Sequence, residues 1–162
     1  RLDRAFSEEV ALNDCVRNAV LIARTAIKDK AEISSQLGEL PLIACAPSQI
    51  NQVVMNLVMN AAQAMGPERG RIVIRTGHTV EHAWIEVEDS GQGISPEILP
   101  RIFDPFFTTK PVGQGTGLGL SISYKIIQQH GGTIRVASEP GRGTRFLISL
   151  PREQARELKR SA

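Results

Sequence analysis

The chain has 162 residues, enough for one domain with a real core and too few for two comfortable ones, and it carries 41% hydrophobic and 22% charged residues with a formal charge of +2. That charge offers no large field to nucleic acid, and the basic tail at 152–160 interleaves Glu153 and Glu157, so it reads as a solvated end rather than a binding arm. Cys15 and Cys45 lack metal-ligand spacing and histidine neighbours, which argues against a zinc site or a disulfide framework and for two reduced thiols. No apolar run is long enough to cross a bilayer and no signal-peptide pattern opens the chain; a start at Arg1 suggests a cytoplasmic piece cut from something longer, with any membrane part upstream.

A linker or edge segment is expected over residues 1–10, a single domain over 11–150 and a tail over 151–162. From 12 to 27, Leu12, Val16, Ala19, Val20, Ala23 and Ile27 recur on one helical face, with Asn13 or Asp14 available as a cap. Short extended pieces are expected at 31–37 and 42–45. Pro47 suits the first turn of a second helix, which should run to about Met65 and stop before Gly66-Pro67. Residues 71–76 and 83–88 alternate apolar and polar side chains and predict a hairpin. Ser95-Pro96-Glu97 predicts a short helix capped by the serine. Helix returns at 118–129, halted by Gly131-Gly132, and 133–138 with 144–150 predict two last strands. Strands joined by short turns with helices between them predict an α+β fold, a two-layer sandwich with one mostly antiparallel sheet covered on one face. Residues 104–117 have little periodicity and many turn formers, and predict a mobile loop.

Four short segments recur in a fixed order: Asn56-Leu57-Val58-Met59-Asn60, Asp89-Ser90-Gly91-Gln92-Gly93, Gly113 to Leu120 (GQGTGLGL), and Gly141-Arg142-Gly143-Thr144. Phe103-Asp104-Pro105-Phe106-Phe107-Thr108-Thr109-Lys110 lies between the second and third. Singly each is weak. Together, over roughly residues 48 to 150, they resemble the catalytic, ATP-binding domain of two-component sensor histidine kinases, a branch of the GHKL ATPases with the Bergerat fold. The resemblance implies ATP and Mg2+ as ligands and makes residues 104–117 an ATP lid.

The second helix departs first from what folding alone requires. Beside its apolar face, Gln49, Gln52, Asn56, Asn60 and Gln63 form an uncharged amide stripe where Lys and Glu would be ordinary, and asparagine is a poor interior helix former. Such a stripe also reads simply as a polar surface. Carboxamide oxygens can ligate a hard cation without adding negative charge beside a triphosphate. By resemblance, Asn60 is the Mg2+ ligand and Asn56 holds the phosphate end or a coordinated water. GHKL members that hydrolyse ATP with water carry a glutamate base at the position of Asn56, and an amide cannot accept a proton.

Asp89-Ser90-Gly91 taken alone is a common strand-ending turn, but a carboxylate suits the exocyclic amine of adenine, and Gly91 and Gly93 permit close approach of the backbone. Thr144 becomes a second contact to adenine or its bound water only through its place in the order. The glycine run ends in Gly115, Thr116, Gly117, Leu118 and Gly119, directly before a predicted helix, so free N–H groups and about +0.5 of charge face incoming phosphate. It lacks the Gly-Lys-Ser/Thr ending of a P-loop and the setting of a dinucleotide fingerprint. The phenylalanines anchor the lid, and Lys110 is the nearest cation to the phosphates. Gln63 and Ala64 stand where many family members carry a basic residue and an aromatic, so charge and stacking must be supplied otherwise.

His78 and His82 flank the predicted hairpin turn, and His130 ends a helix, where an imidazole commonly meets the last carbonyls. None begins an acidic helical segment like the family's phosphoacceptor. The resemblance therefore implies a monomeric donor half: the γ-phosphoryl group would pass to a histidine on a separate dimerisation domain and then to a response-regulator aspartate, with no nucleic-acid or membrane contact. An anti-sigma-type serine kinase, a non-catalytic ATP switch and a purely structural sandwich remain as alternatives.

Overall fold

The computed structural model describes residues 8–108 and 118–152. The elements in chain order are β1 (Glu9–Val10), α1 (Leu12–Ile27), β2 (Ala31–Leu37), β3 (Ile43–Ala44), α2 (Pro47–Gln63), β4 (Gly70–His78), β5 (His82–Asp89), a 3-10 turn at Leu99–Arg101, α3 (Gly119–Gln129), β6 (Thr133–Glu139) and β7 (Gly143–Pro151). Five strands form one sheet in the order β2-β4-β5-β7-β6. Only β2 and β4 run parallel. The remaining pair, β1 and β3, makes a small antiparallel ribbon with Val10 opposite Ile43.

The period of the sequence decides which side of each element is dry. In β4, β5 and β7 every second residue, among them Ile72, Ile74, Ile85, Val87, Phe146 and Ile148, is buried. These meet the buried stripes of the helices: Leu12, Val16, Val20 and Ile27 of α1, and Ile50, Val54, Leu57 and Val58 of α2. Each such side chain contributes on the order of 1.5–3 kcal/mol when fully buried. The helices cover one face, and α2 packs against α1 on one side and α3 on the other. The opposite face is polar: Arg75 donates to Glu86 at 2.9 Å, Glu88 at 2.7 Å and Gln36 at 3.2 Å.

Two expected caps are absent. The residue before α1 is Ala11, with no side-chain cap. Asn13 instead donates to Gly38 O at 2.7 Å and accepts from the Thr76 hydroxyl at 2.8 Å, so its amide ties α1 to the sheet rather than closing its own helix. No α-helix forms at Ser95 either. Ile98 N and Leu99 N both donate to Ser95 O, Pro100 has no N–H to continue an α-helix, and the segment goes on as the 3-10 turn with Arg101 N on Ile98 O. The second helix stops at Gln63, two residues short of the expected Met65.

The stop at Gly131-Gly132 holds for a definable reason. Gly131 has φ +72°, its N–H bonds Gln128 O and the Gly132 N–H bonds Ile127 O, each at 2.9 Å, which is the Schellman pattern. His130, 1% exposed, closes the same helix. Its Nδ1–H donates to Ile126 O at 2.8 Å, and its Nε2 accepts the Ala46 N–H at 3.1 Å. A carbonyl only accepts and an amide N–H only donates, so the geometry fixes the neutral tautomer with its proton on Nδ1. The ring thereby joins the end of α3 to the start of α2. Both cysteines are buried and neither is in a disulfide, and burial, with Asp14 nearby, raises the Cys15 thiol to about 11, which leaves it protonated and inert.

Candidate active site

A cleft of about 600 Å³ opens between α2, the loop after β5, the 3-10 turn and the start of α3. The polar part of its lining is amide and backbone: Asn56, Asn60, Gln63, Gln92, Gly93 and Gly119. The apolar part of the lining comes from Met59, Ile94, Ile98, Ile102, Phe107 and Leu120. No charged side chain lines it among the described residues. A pocket of this size with both amide and apolar lining suits a flat heteroaromatic ring attached to a polar tail.

The amide stripe divides when it folds. Asn56, Asn60 and Gln63 line the cleft, whereas Gln52 is exposed and Gln49 has its Oε1 buried without a hydrogen-bond partner. Asn56 Nδ2 donates to Gly119 O at 3.2 Å and to Ser123 Oγ at 3.3 Å, and Ser123 donates to Gly119 O at 2.9 Å. This closed triangle pins α2 to the first turn of α3.

At the strand end, Asp89 is 6% exposed and accepts the Gly91 N–H at 2.8 Å. Burial pushes its carboxyl above the usual carboxylate range, and the Gly91 and Thr144 N–H groups partly counter that shift. Asp89 pairs with Thr144 across β5 and β7. Thr144 is buried, with its hydroxyl 2.8 Å from Ser138 Oγ, and Ser138 also accepts the Ile94 N–H at 2.8 Å. Asp89, Gly91 and Thr144 are thus one cluster, but they do not themselves line the cleft; Gln92 and Gly93 do.

Glycine is obligatory at two points of this cluster. Gly93 has φ +77° and a Cβ there would strike Glu139 O; Gly143 has φ +114° and a Cβ there would strike Asp89 O. Further backbone bonds, Gln92 N to Ala64 O at 3.0 Å and Gly141 N to Gln92 O at 2.8 Å, stitch the loop to the end of α2 and to the β6–β7 turn.

Leu118 precedes α3 and Gly119 begins it, with Gly119 on the cleft. Lys110, Gly115, Thr116 and Gly117 lie outside the described residues, as does the rest of 109–117, the greater part of the lid expected over 104–117. Phe103 packs 5.2 Å from the Tyr124 ring and 6.3 Å from Phe146, while Phe106 is 71% exposed with φ +64° and the Arg101 guanidinium lies 4.7 Å over Phe107. Only one of the three phenylalanines is therefore a core anchor. Sequence reasoning missed Ser123 and Ser138. Ser123 carried a usable signal, since it shares a helical face with Ile126, Ile127 and His130, all buried.

Residues 45–154 match the family model described as histidine kinase-, DNA gyrase B-, and HSP90-like ATPase, and the chain belongs to that family. Among similar proteins, the sensor kinase CckA of Brucella abortus (strain 2308) is 44% identical, covering 82% of this chain and 16% of its own length. The sensor histidine kinase ZraS of Escherichia coli (strain K12) is 38% identical, covering 89% and 31%. The chain thus spans less than a third of either relative. The solved catalytic domain of histidine kinase ThkA superposes with a TM-score of 0.79 at 36% identity, covering 90% of this chain and 95% of that domain. The mycobacterial sensor histidine kinase MprB gives the same TM-score at 28% identity, covering 90% and 98%.

Proposed function

We propose that this chain is the ATP-binding, phosphoryl-donating domain of a sensor histidine kinase, working in the cytoplasm and passing the γ-phosphoryl group to a histidine on a separate dimerisation domain. A response-regulator receiver aspartate is the next acceptor. The observation that carries this reading is the amide at Asn56. It sits on the cleft with its nitrogen bonded to Gly119 O, and no carboxylate lines the cleft among the described residues, so nothing there can act as a base toward water. A domain that holds ATP without activating water is suited to donation.

In this reading the apolar lining of Ile94, Ile98, Ile102 and Met59 covers the base, and the carboxylate of Asp89 is the acceptor for the adenine amine, directly or through water, with Thr144 beside it. Gly91 and Gly93 let the backbone come close. The phosphates extend along α2 toward the N–H groups at Gly119, aided by Lys110, Gly115, Thr116, Gly117 and Leu118. The donor set fits a hard cation, since Asn60 and Asn56 are neutral amides on the cleft: Asn60 would hold Mg2+ and Asn56 its water shell or the phosphate end. A bound Mg2+ supplies charge neutralisation across the phosphates, and the protein's remaining task is positioning.

The acceptor is not in this chain. His130 is 1% exposed with both ring nitrogens occupied, and His78 and His82 belong to a hairpin at the far end of β4 and β5. Calorimetry tests the reading: the chain should bind ATP and ADP, discriminate against GTP and gain affinity with Mg2+. Equal affinity for GTP would remove Asp89 from the role of base reader.

A further inference from the structure

The Asn56–Ser123 contact joins α2 to α3 with polar groups where apolar packing would serve the fold as well. Ser123 is 0% exposed on the buried face of α3, where an apolar residue would pack, and Asn56 interrupts an otherwise good helix. Gly119 O can only accept, so the Asn56 atom facing it at 3.2 Å is the amide nitrogen. Ser123 spends its one hydroxyl hydrogen on Gly119 O at 2.9 Å, which leaves its lone pairs to accept from the same Asn56 nitrogen at 3.3 Å. Every donor in the triangle has an acceptor, and the amide cannot flip without placing Asn56 Oδ1 against a carbonyl oxygen.

We propose that Ser123 is a positioning residue for ATP binding: by accepting the second Asn56 N–H beside Gly119 O it completes the lock on the amide, so that Oδ1, and not Nδ2, is what Asn56 offers to the cleft. This rests on the ATP reading above and sharpens it. An amide oxygen repels a bare phosphate oxygen but accepts from water bound to a cation, so the lock assigns Asn56 to the hydration shell of Mg2+ rather than to direct phosphate contact. It also connects that shell to the first turn of α3, the element that follows the glycine run. A shift of α3 relative to α2 would therefore be felt at the metal before it is felt at the base.

The test uses Ser123→Ala and Ser123→Cys, the second keeping nearly the same volume while offering only a weak acceptor. ATP affinity is measured by calorimetry across a magnesium titration, with ADP in the absence of magnesium as a control on the base end and thermal melting as a control on the fold. Both variants should need about five- to tenfold more Mg2+ to reach half of the magnesium-dependent gain, the size expected for one lost hydrogen bond, with metal-free ADP affinity within about twofold of the parent. Ser123→Thr, which keeps the hydroxyl, should restore the parent's magnesium midpoint. An unchanged midpoint in the Ala and Cys variants overturns the proposal. So does an equal loss of affinity with and without magnesium, which would make Ser123 a packing residue. A parent chain that binds no ATP would instead remove the functional reading itself.

Discussion

The two ends of the cleft are built by different means. At the strand end the geometry is backbone: Gly93 and Gly143 lie in positive φ against Glu139 and Asp89, and loop-to-loop bonds fix a buried carboxylate within the sheet. At the helix end the geometry is chiefly side chain: three amides of α2 on the cleft, one of which, Asn56, meets Ser123 and Gly119 O of α3 in a single triangle. Fold and site are therefore the same object at the strand end, and separable at the helix end. Substitutions should sort accordingly.

The largest effect should come from Gly143→Ala, which forces a Cβ into Asp89 O at a backbone angle that L residues rarely adopt. We expect roughly 2–4 kcal/mol of lost stability, together with loss of nucleotide binding, read by thermal melting and calorimetry. A variant with parent stability would show that the strand end is not rigid, and the contrast between the ends would fail.

Asp89→Asn should separate the two properties even there. Nucleotide affinity should fall by about 1–3 kcal/mol, because the amine would lose its acceptor or meet a mispaired amide. Stability should behave oppositely. Burial raises the carboxyl, so the folded chain holds its proton more tightly than the unfolded one. The stabilising contribution of Asp89 is then present at low pH, below the unfolded value, and is lost as pH rises through the folded value. At neutral pH the ionised group costs stability, so the Asn variant should melt at the same or a higher temperature than the parent. That advantage should vanish as pH falls into the raised carboxyl range, where ATP affinity of the parent should also decline. A variant that melts well below the parent at neutral pH would show that the carboxylate is structural.

A smaller effect is expected from Asn60→Ala, a half-buried amide outside the core: melting within about 0.5 kcal/mol of the parent, with the magnesium dependence of ATP affinity erased. Retained dependence would reduce the amide stripe to a surface.

The same division explains what was legible in the sequence. The core faces of α1 and α2 and the alternation of β4, β5 and β7 could be read because burial at period 3.6 or 2 is a local signal, and every apolar position expected on α1 is buried. At the strand end Gly93 could be read as a point of close backbone approach, whereas Gly143 sat in an ordinary loop sequence and its φ of +114° against Asp89 O came only with the fold. Partners across long separations could not be read. Asn13 looked like a cap until Gly38 and Thr76 were brought beside it, and Ser123 drew no notice until α3 placed it against Asn56, 67 positions away in sequence. Ser95 failed as an α-helix start because Pro100 has no N–H to give to Pro96 O, and the chain goes on in tighter 3-10 turns, with Arg101 N on Ile98 O.

One measurement bears most directly on the donor assignment: incubation of the chain with γ-labelled ATP, alone and with a matching dimerisation domain supplied as a separate polypeptide. The account predicts bound nucleotide, no label on the chain, little free phosphate, and an acid-labile phosphohistidine on the added partner, because His130 is buried with both nitrogens engaged and Asn56 cannot deprotonate water. Robust labelling of the chain itself, or rapid phosphate release without a partner, would contradict it and identify a self-contained ATPase.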